Sequence, residues 1–181
     1  MRESGYKTSR DAIGDYIAWA RDSWLLFSVP ILSDSHKEQE RNYKKIYAID
    51  WALAIRNSAV WDGSFSRAFE NMIYLHLRRK YPRVGYYLTR SNRQEIDFLC
   101  TDEHGKASLA VQVCLDLSDK KTRERELEPL FSAAKYFDIK ENFIVTMNHA
   151  ESFTRDGVTV TAVPAWKWLL KSYSQHYSSP V

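Results

Sequence analysis

Apolar side chains recur at helical spacing near the start of the chain. Ile13, Tyr16, Ile17, Ala20 and Trp24 lie three or four residues apart, which predicts an amphipathic helix that begins after an N-cap at residue 8 or 9. Residues 24–32 and 45–50 are rich in aromatic and branched side chains and predict two strands, while the polar residues 33–42 between them predict a solvated loop. A short helix is expected within residues 50–62.

The rest of the chain alternates between helical and extended patterns. Apolar spacing predicts a helix from residue 66 that Pro82 ends, and a charged helix over 118–137 that bends or restarts at Pro129. Extended runs predict an antiparallel three-strand meander followed by two further strands, at residues 84–90, 94–101, 107–117, 143–147 and 158–163. A short helix over 164–170 follows. This order predicts an α/β fold.

Composition narrows the class of protein. The chain has 181 residues, of which 44% are hydrophobic and 27% charged, as expected for one globular domain with at most a small appendage. No apolar run approaches the roughly 20 residues of a membrane helix, and no secretory signal is visible, so a cytoplasmic protein without membrane contact is expected. Cys100 and Cys114 are expected to be reduced thiols. A net charge of +3 does not by itself indicate nucleic-acid binding.

Oxygen-bearing side chains meet in the predicted meander. Strand alternation predicts that Glu95 and Asp97 share one face of residues 94–99, with Ile96 and Phe98 on the other. A hairpin turn at 102–106 places Asp97 across from Gln112 or within one step of it. Their oxygens suit a magnesium ion, and Glu70, on the preceding helix, is a third candidate ligand. Each acid taken alone also fits an exposed surface charge.

These residues resemble a known arrangement. The helix glutamate Glu70, the aspartate of the segment 95–98 and the strand 111–114 are similar to the three parts of the PD-(D/E)xK nuclease core. Nearly the whole chain resembles the C-terminal region, of unknown function, of a prokaryotic AAA-type ATPase family. The matching segments are KIYAID at 45–50, FEN at 69–71, YY at 86–87, EIDF at 95–98, QVC at 112–114 and VPAW at 163–166.

The resemblance implies a fold and a site. It implies a restriction-endonuclease-like mixed sheet flanked by helices at residues 63–181, preceded by a partial winged-helix element of one helix and two strands at residues 1–62. The implied catalytic residues are Glu70, Asp97 and Gln112, with Asp97 and Gln112 as metal ligands. Cys114 stands where such nucleases have a lysine, and glutamine in place of an acid removes a charge, so both departures weaken catalysis.

The basic residues at the start of the next predicted helix have two interpretations, one as a substitute for the missing lysine and one as exposed surface charges. Lys120, Lys121 or Arg123, early in the next predicted helix, supply a cation if that helix reaches the same pocket. The alternative is a solvated helix face, because these residues alternate with acids.

A cluster of basic residues adds a second candidate surface. We expect a rim that contacts nucleic-acid phosphates, formed by Arg78, Arg79, Lys80, Arg83, Arg90 and Arg93. Favourable charges at a helix C-terminus explain the first members almost equally well.

The expected function follows from the persisting acids and the missing lysine. We expect a catalytically impaired nuclease-like module that binds DNA or docks onto an AAA-type ATPase module or a homologous chain. The alternatives are an active magnesium-dependent DNA endonuclease and a protein-interaction domain that does not bind nucleic acid. ATP hydrolysis by this chain is not expected, because it has no GxxxxGK[ST] phosphate loop.

Overall fold

A computed structural model describes residues 9–33, 35–56 and 65–174. The helices are α1 (Arg10–Asp22), α2 (His36–Arg41), α3 (Trp51–Arg56), α4 (Phe65–Arg78), α5 (Lys120–Phe137) and α6 (Ala165–Ser174). The strands are β1 (Leu26–Val29), β2 (Lys45–Ala48), β3 (Arg83–Leu88), β4 (Glu95–Thr101), β5 (Ala107–Val113), β6 (Glu141–Thr146), β7 (Glu151–Arg155) and β8 (Val158–Pro164).

Six strands form one mixed sheet in the order β3-β4-β5-β6-β8-β7. The predicted meander is confirmed as β3, β4 and β5, which pair antiparallel. Strands β5, β6 and β8 run parallel to one another, and β7 pairs antiparallel with β8 at the edge. The fold is therefore mixed α/β with helices flanking a mixed sheet, as the order of elements predicts.

Two apolar clusters cover the two faces of this sheet. One joins α4 to the sheet through Ile73, Leu77 and Val111, and Phe98 belongs to it. The other joins α5 through residues such as Leu130. Each face thus buries side chains that are under 1% exposed, and the sheet forms the middle of three layers.

The N-terminal strands β1 and β2 form a separate antiparallel pair that packs on the α4 face. The segment after β1 continues along the edge strand β3, where the Leu32 N–H donates to the Tyr86 carbonyl at 2.8 Å. Gly85 permits this contact, because a Cβ there would lie 2.6 Å from Leu32 Cγ and 2.7 Å from the Pro30 carbonyl oxygen. The hairpin of β1 and β2 is thereby held against the sheet.

Several local predictions need correction. The loop over 33–42 contains α2, which Ser35 caps by accepting a hydrogen bond from the Glu38 N–H. Helix α5 runs through Pro129 without restarting, and its N-cap is Asp119. Strand β7 was not predicted. The helix expected within 50–62 is present as α3, and the remainder of that segment lies outside the described residues.

Other expectations are confirmed. Ser9 caps α1, since its side chain accepts from the Ala12 N–H, and both cysteines are free thiols, although only Cys100 is fully buried. Within the described ranges, no helix is long and apolar enough to cross a membrane.

Candidate functional site: a lysine held by three carboxylates

The centre of the candidate site is Lys45, at the start of β2. Its side chain is only 14% exposed, and Tyr47, two residues further along the strand, is also buried while Ile46 between them is exposed. This alternation directs Lys45 and Tyr47 to the same side of the hairpin, toward α4 and β4. The hairpin therefore delivers an ammonium group to the acidic residues of the sheet.

Three carboxylates surround that ammonium. Lys45 Nζ lies 3.0 Å from Glu70 Oε1 on α4, 2.8 Å from Glu95 Oε1 and 2.9 Å from Asp97 Oδ1, both on β4. An ammonium has three N–H donors and no acceptor, so these three oxygens match its full donor capacity. We call Lys45, Glu70, Glu95 and Asp97 the lysine cluster.

A β-bulge in β4 places Asp97 in this cluster. Gly85 pairs with Leu99 and Tyr87 pairs with Ile96, so two consecutive residues of β4, Asp97 and Phe98, lie opposite Tyr86. A bulge breaks the simple alternation of side chains. The prediction that Ile96 and Phe98 share one face of the sheet is therefore wrong. Phe98 packs in the α4-side cluster and Ile96 packs in the α5-side cluster. The predicted shared face of Glu95 and Asp97 is confirmed by their common contact with Lys45.

Tyrosine hydroxyls complete the shell around the acids. The Tyr47 hydroxyl donates to Glu70 Oε1 at 2.6 Å, and the Tyr43 hydroxyl donates to Glu95 Oε2. Burial, reinforced by Glu70, raises the pKa of Tyr47 far above its ordinary value. Burial and the Glu95 hydrogen bond raise the pKa of Tyr43 to about 12. Both phenols therefore remain protonated donors at neutral pH.

The charges of the cluster do not cancel. Burial alone lowers the pKa of Lys45, but the carboxylates of Asp97, Glu70 and Glu95 outweigh burial and raise it well above its usual range. Burial raises the pKa of Asp97 to about 6, with a further contribution from Glu70, although Lys45 opposes both. One ammonium facing three carboxylates leaves an excess of negative charge: the carboxylates keep Lys45 protonated, while burial together with Glu70 raises the pKa of Asp97.

Gln112 does not join this cluster. Phe98 pairs with Val111, and Asp97 and Gln112 are the next residues of the two strands, but their side chains leave the sheet on opposite faces. Gln112 Nε2 donates to Glu126 Oε2 on α5 at 2.6 Å, and its Oε1 accepts the Asp97 backbone N–H at 3.1 Å. The predicted convergence of three oxygens on one pocket is therefore wrong for Gln112.

The lysine position of the nuclease pattern also lies on the α5 side. Cys114 packs against the α5-side cluster, and its thiol donates to the Asp116 carbonyl at 3.2 Å. The suggested substitutes do not reach the acids, because Lys120 pairs with Glu124 of its own helix at 3.8 Å with both side chains largely exposed. Lys121 is exposed and Arg123 is half-buried on the first turns of α5.

Sequence reasoning missed Lys45 as a site residue. The available signal was that Lys45 begins a predicted strand and shares a strand face with Tyr47, so that a charge on a buried face would need partners. Lys45 precedes Asp97 by 52 residues, so neither spacing nor a local motif connected them.

The donor atoms do not fit the predicted magnesium ion in this arrangement. Asp97 Oδ1 bonds Lys45 and its Oδ2 accepts the Val113 N–H at 2.9 Å, while the Gln112 oxygen is taken by a backbone N–H on the other face. Among the residues that the structure describes, no group of three or more His, Cys, Asp or Glu is arranged to hold a metal ion. The cation that these acids bind is the ammonium of Lys45.

The predicted basic rim is divided between the two ends of β3. Arg78, Arg79 and Lys80 lie at the end of α4, and Arg83 begins β3. Arg90 and Arg93 follow the other end of the strand, roughly 20 Å away at 3.3 Å per residue. Arg90 stacks on the Tyr136 ring at 4.5 Å, and Arg93 donates to Asn42. These six residues do not form one continuous surface.

Comparison with known proteins gives a family but no activity. Residues 65–168 match the family model described as a domain of unknown function, DUF4143. An uncharacterized protein of the archaeon Methanocaldococcus jannaschii is 28% identical over 185 residues, which cover 94% of this chain and 38% of the archaeal protein. The chain thus spans well under half the length of that relative. No solved structure matches the chain. Because the family model covers more than half of the sequence and includes Glu70, Glu95 and Asp97, the chain belongs to the DUF4143 family.

Proposed function

We propose that this chain is a catalytically impaired, nuclease-like module that docks onto an AAA-type ATPase partner. The observation that carries the proposal is the lysine cluster, in which the ammonium of Lys45 binds Glu70 and Asp97, two of the residues that the resemblance assigns to the nuclease site, together with Glu95. An acid already bound to an internal cation is a structural element.

The loss of the third nuclease motif supports the same conclusion. Gln112 and Cys114 point toward α5, and Gln112 is engaged by a buried glutamate, Glu126, whose Oε1 also accepts from Arg125 at 2.5 Å. Water activation in this nuclease class needs an acid and a lysine beside the metal. Neither is available from β5 on the side of Asp97.

Helix α1 offers the surface for docking. Its apolar residues Ile13, Tyr16 and Ile17 share one stripe but are 49%, 58% and 37% exposed. An amphipathic helix usually buries such a stripe, so a partner that covers it would gain apolar contact. DUF4143 domains are associated with AAA-type ATPases, and the archaeal relative carries far more chain than the part matched here. We therefore propose an ATPase module as the occupant.

The docking claim is tested with a purified AAA-type ATPase module as the binding partner. Tyr16→Asp should weaken co-purification and raise the Kd measured by surface plasmon resonance, because it places a charge in the stripe. Trp166→Asp is the matched control, since Trp166 is similarly exposed at 61% but lies on α6. Equal binding by wild type and Tyr16→Asp would refute docking through α1.

The impaired-site claim needs a separate assay. Purified protein is incubated with supercoiled plasmid and magnesium, alongside Asp97→Ala. We expect no cleavage by wild type above that of the variant. Cleavage that disappears in Asp97→Ala would instead establish the rival function, a magnesium-dependent endonuclease.

A further inference from the structure

A groove with exposed aromatic and cationic groups lies between the end of α1, β1 and α4. Its volume is about 270 Å³, and its lining includes Arg21, Trp24, Ser28, Tyr74 and Arg78. This lies just below the roughly 300–1,000 Å³ of small-molecule pockets, so the groove accepts a group about the size of one nucleobase. We infer that this groove binds single-stranded nucleic acid, with one base stacked on Trp24 and the neighbouring phosphates paired with Arg21 and Arg78.

Trp24 is an unusual residue for its position. It follows α1 with a φ of +61°, and its N–H donates to the Arg21 carbonyl while the Leu25 N–H donates to the Ala20 carbonyl, both at 2.9 Å. This is the Schellman pattern, in which the left-handed residue is usually glycine. Trp24 nevertheless leaves 63% of its side chain exposed. A bulky residue at positive φ with its ring in solvent points to a use for that ring.

Arg78 supplies an oriented cation next to the ring. Its guanidinium carbon lies 5.1 Å from the Trp24 ring centre and 4.0 Å from that of Phe27. Trp24 and Phe27 meet edge to face at 6.4 Å, so the two rings hold the guanidinium in place. An oriented guanidinium is well suited to a phosphate oxygen pair.

The charge around the groove also favours an anionic chain. Among the described residues that line the groove, Arg21 and Arg78 outnumber the acid, Asp22. Exposed Arg79 and Arg83 follow Arg78 at the same end of α4 and extend the positive charge beyond the groove. A positive track beside an exposed aromatic ring is the general pattern of single-strand binding, in which stacking needs an unpaired base. Double-stranded nucleic acid hides its base faces, so the single strand is the favoured ligand.

The test measures fluorescence anisotropy of a labelled 20-nucleotide oligo-dT in 50 and 200 mM KCl. Wild type should bind, and affinity should fall at least about 7-fold between the two salts for two phosphate contacts. Trp24→Gly should weaken binding roughly 5- to 150-fold, the loss that corresponds to one stacked base. Glycine is the preferred residue at this φ, so misfolding does not explain that loss. Trp24→Phe should bind with intermediate affinity.

Three controls make the result decisive. Trp166→Ala removes an equally exposed tryptophan on α6 and should leave affinity unchanged. Arg78→Gln should weaken binding and reduce the salt dependence. The inference is overturned if oligo-dT does not bind in 50 mM KCl, if Trp24→Gly binds as well as wild type, or if a 20-base-pair duplex binds more tightly. Loss of ATPase docking in Trp24→Gly, with oligo-dT binding unchanged, would assign the groove to a protein partner and also overturn it.

Discussion

Replacing Lys45 with methionine removes the ammonium from the lysine cluster while keeping most of the side-chain volume. Lys45 Nζ lies within 3.0 Å of three carboxylates, so the variant leaves all three without their cation. Breaking a buried ion pair on one side costs about 3–5 kcal/mol. Glu70 and Glu95 remain 25% and 31% exposed and regain some hydration, which places the expected loss at about 3 kcal/mol.

That loss is large for a domain whose total stability is about 5–15 kcal/mol. It corresponds to a fall in Tm of about 6–12 °C for a chain of this size. Urea unfolding followed by circular dichroism measures it, with Lys44→Met as the control because Lys44 is the adjacent, exposed lysine. In a double-mutant cycle, Asp97→Asn should recover part of the Lys45→Met loss. A loss no greater than that of Lys44→Met would refute the reasoning.

The same variant has a pH signature. The pKa of Asp97 in the folded protein is about 6, above its ordinary value, so the folded state binds that proton more tightly than the unfolded state. Protonation therefore stabilises the fold, and this contribution grows as pH falls through 6 toward 4. Without Lys45 the pKa of Asp97 should rise further, and the stability deficit of Lys45→Met should shrink on acidification from pH 8 to pH 5.

Three further predictions test the surroundings of the cluster. Asn71→Ala should lower the free energy of unfolding, measured in urea, by about 2–4 kcal/mol. Asn71 Oδ1 accepts the Ala48 N–H at 2.8 Å and Asn71 Nδ2 donates to the Ala48 carbonyl at 3.1 Å, so both backbone groups would lose a buried partner. A loss under about 1 kcal/mol would contradict this. Gln112→Glu should destabilise the protein more than Gln112→Met does at pH 7, because it sets a second buried carboxylate against Glu126. The destabilisation by Gln112→Glu should be smaller at pH 4.5 than at pH 7. Equal destabilisation at both pH values would count against the contact. Burial, with Lys80 and Arg79, lowers the pKa of His76 to about 4. The unfolded chain therefore binds this proton at a higher pH than the folded protein, and stability should fall as the pH drops from about 6.5 toward 4. An NMR titration of His76 with a midpoint of about 6 or higher would contradict this.

Hydrophobic periodicity was sufficient to predict most of the helices and strands of the central fold. The apolar stripe of α4 and the extended runs of β3, β4 and β5 have the periods that one-sided burial requires. Strand β7 was not predicted because it has no buried apolar face. Four of its five residues are exposed, namely Glu151, Ser152, Thr154 and Arg155. Helix α2 was not predicted because its residues are all polar and its formation depends on the Ser35 cap.

The site was predictable only in part. Glu70 and Asp97 were selected from the sequence, and the structure brings both to Lys45. The one-residue bulge opposite Tyr86 was not predictable, because it depends on pairing with a neighbouring strand. That bulge separates the side chain of Asp97 from that of Gln112, so strict alternation gave the wrong third ligand.

The central claim is that the ammonium of Lys45 is the permanent cation of the acidic cluster. Its most direct test is an NMR titration of the Lys45 side-chain nitrogen, assigned by comparison with Lys45→Met. Because three carboxylates raise its pKa, Lys45 should remain protonated at pH 11, above the ordinary lysine pKa of about 10.4. Deprotonation of Lys45 together with the exposed lysines, or at a lower pH, would contradict the account.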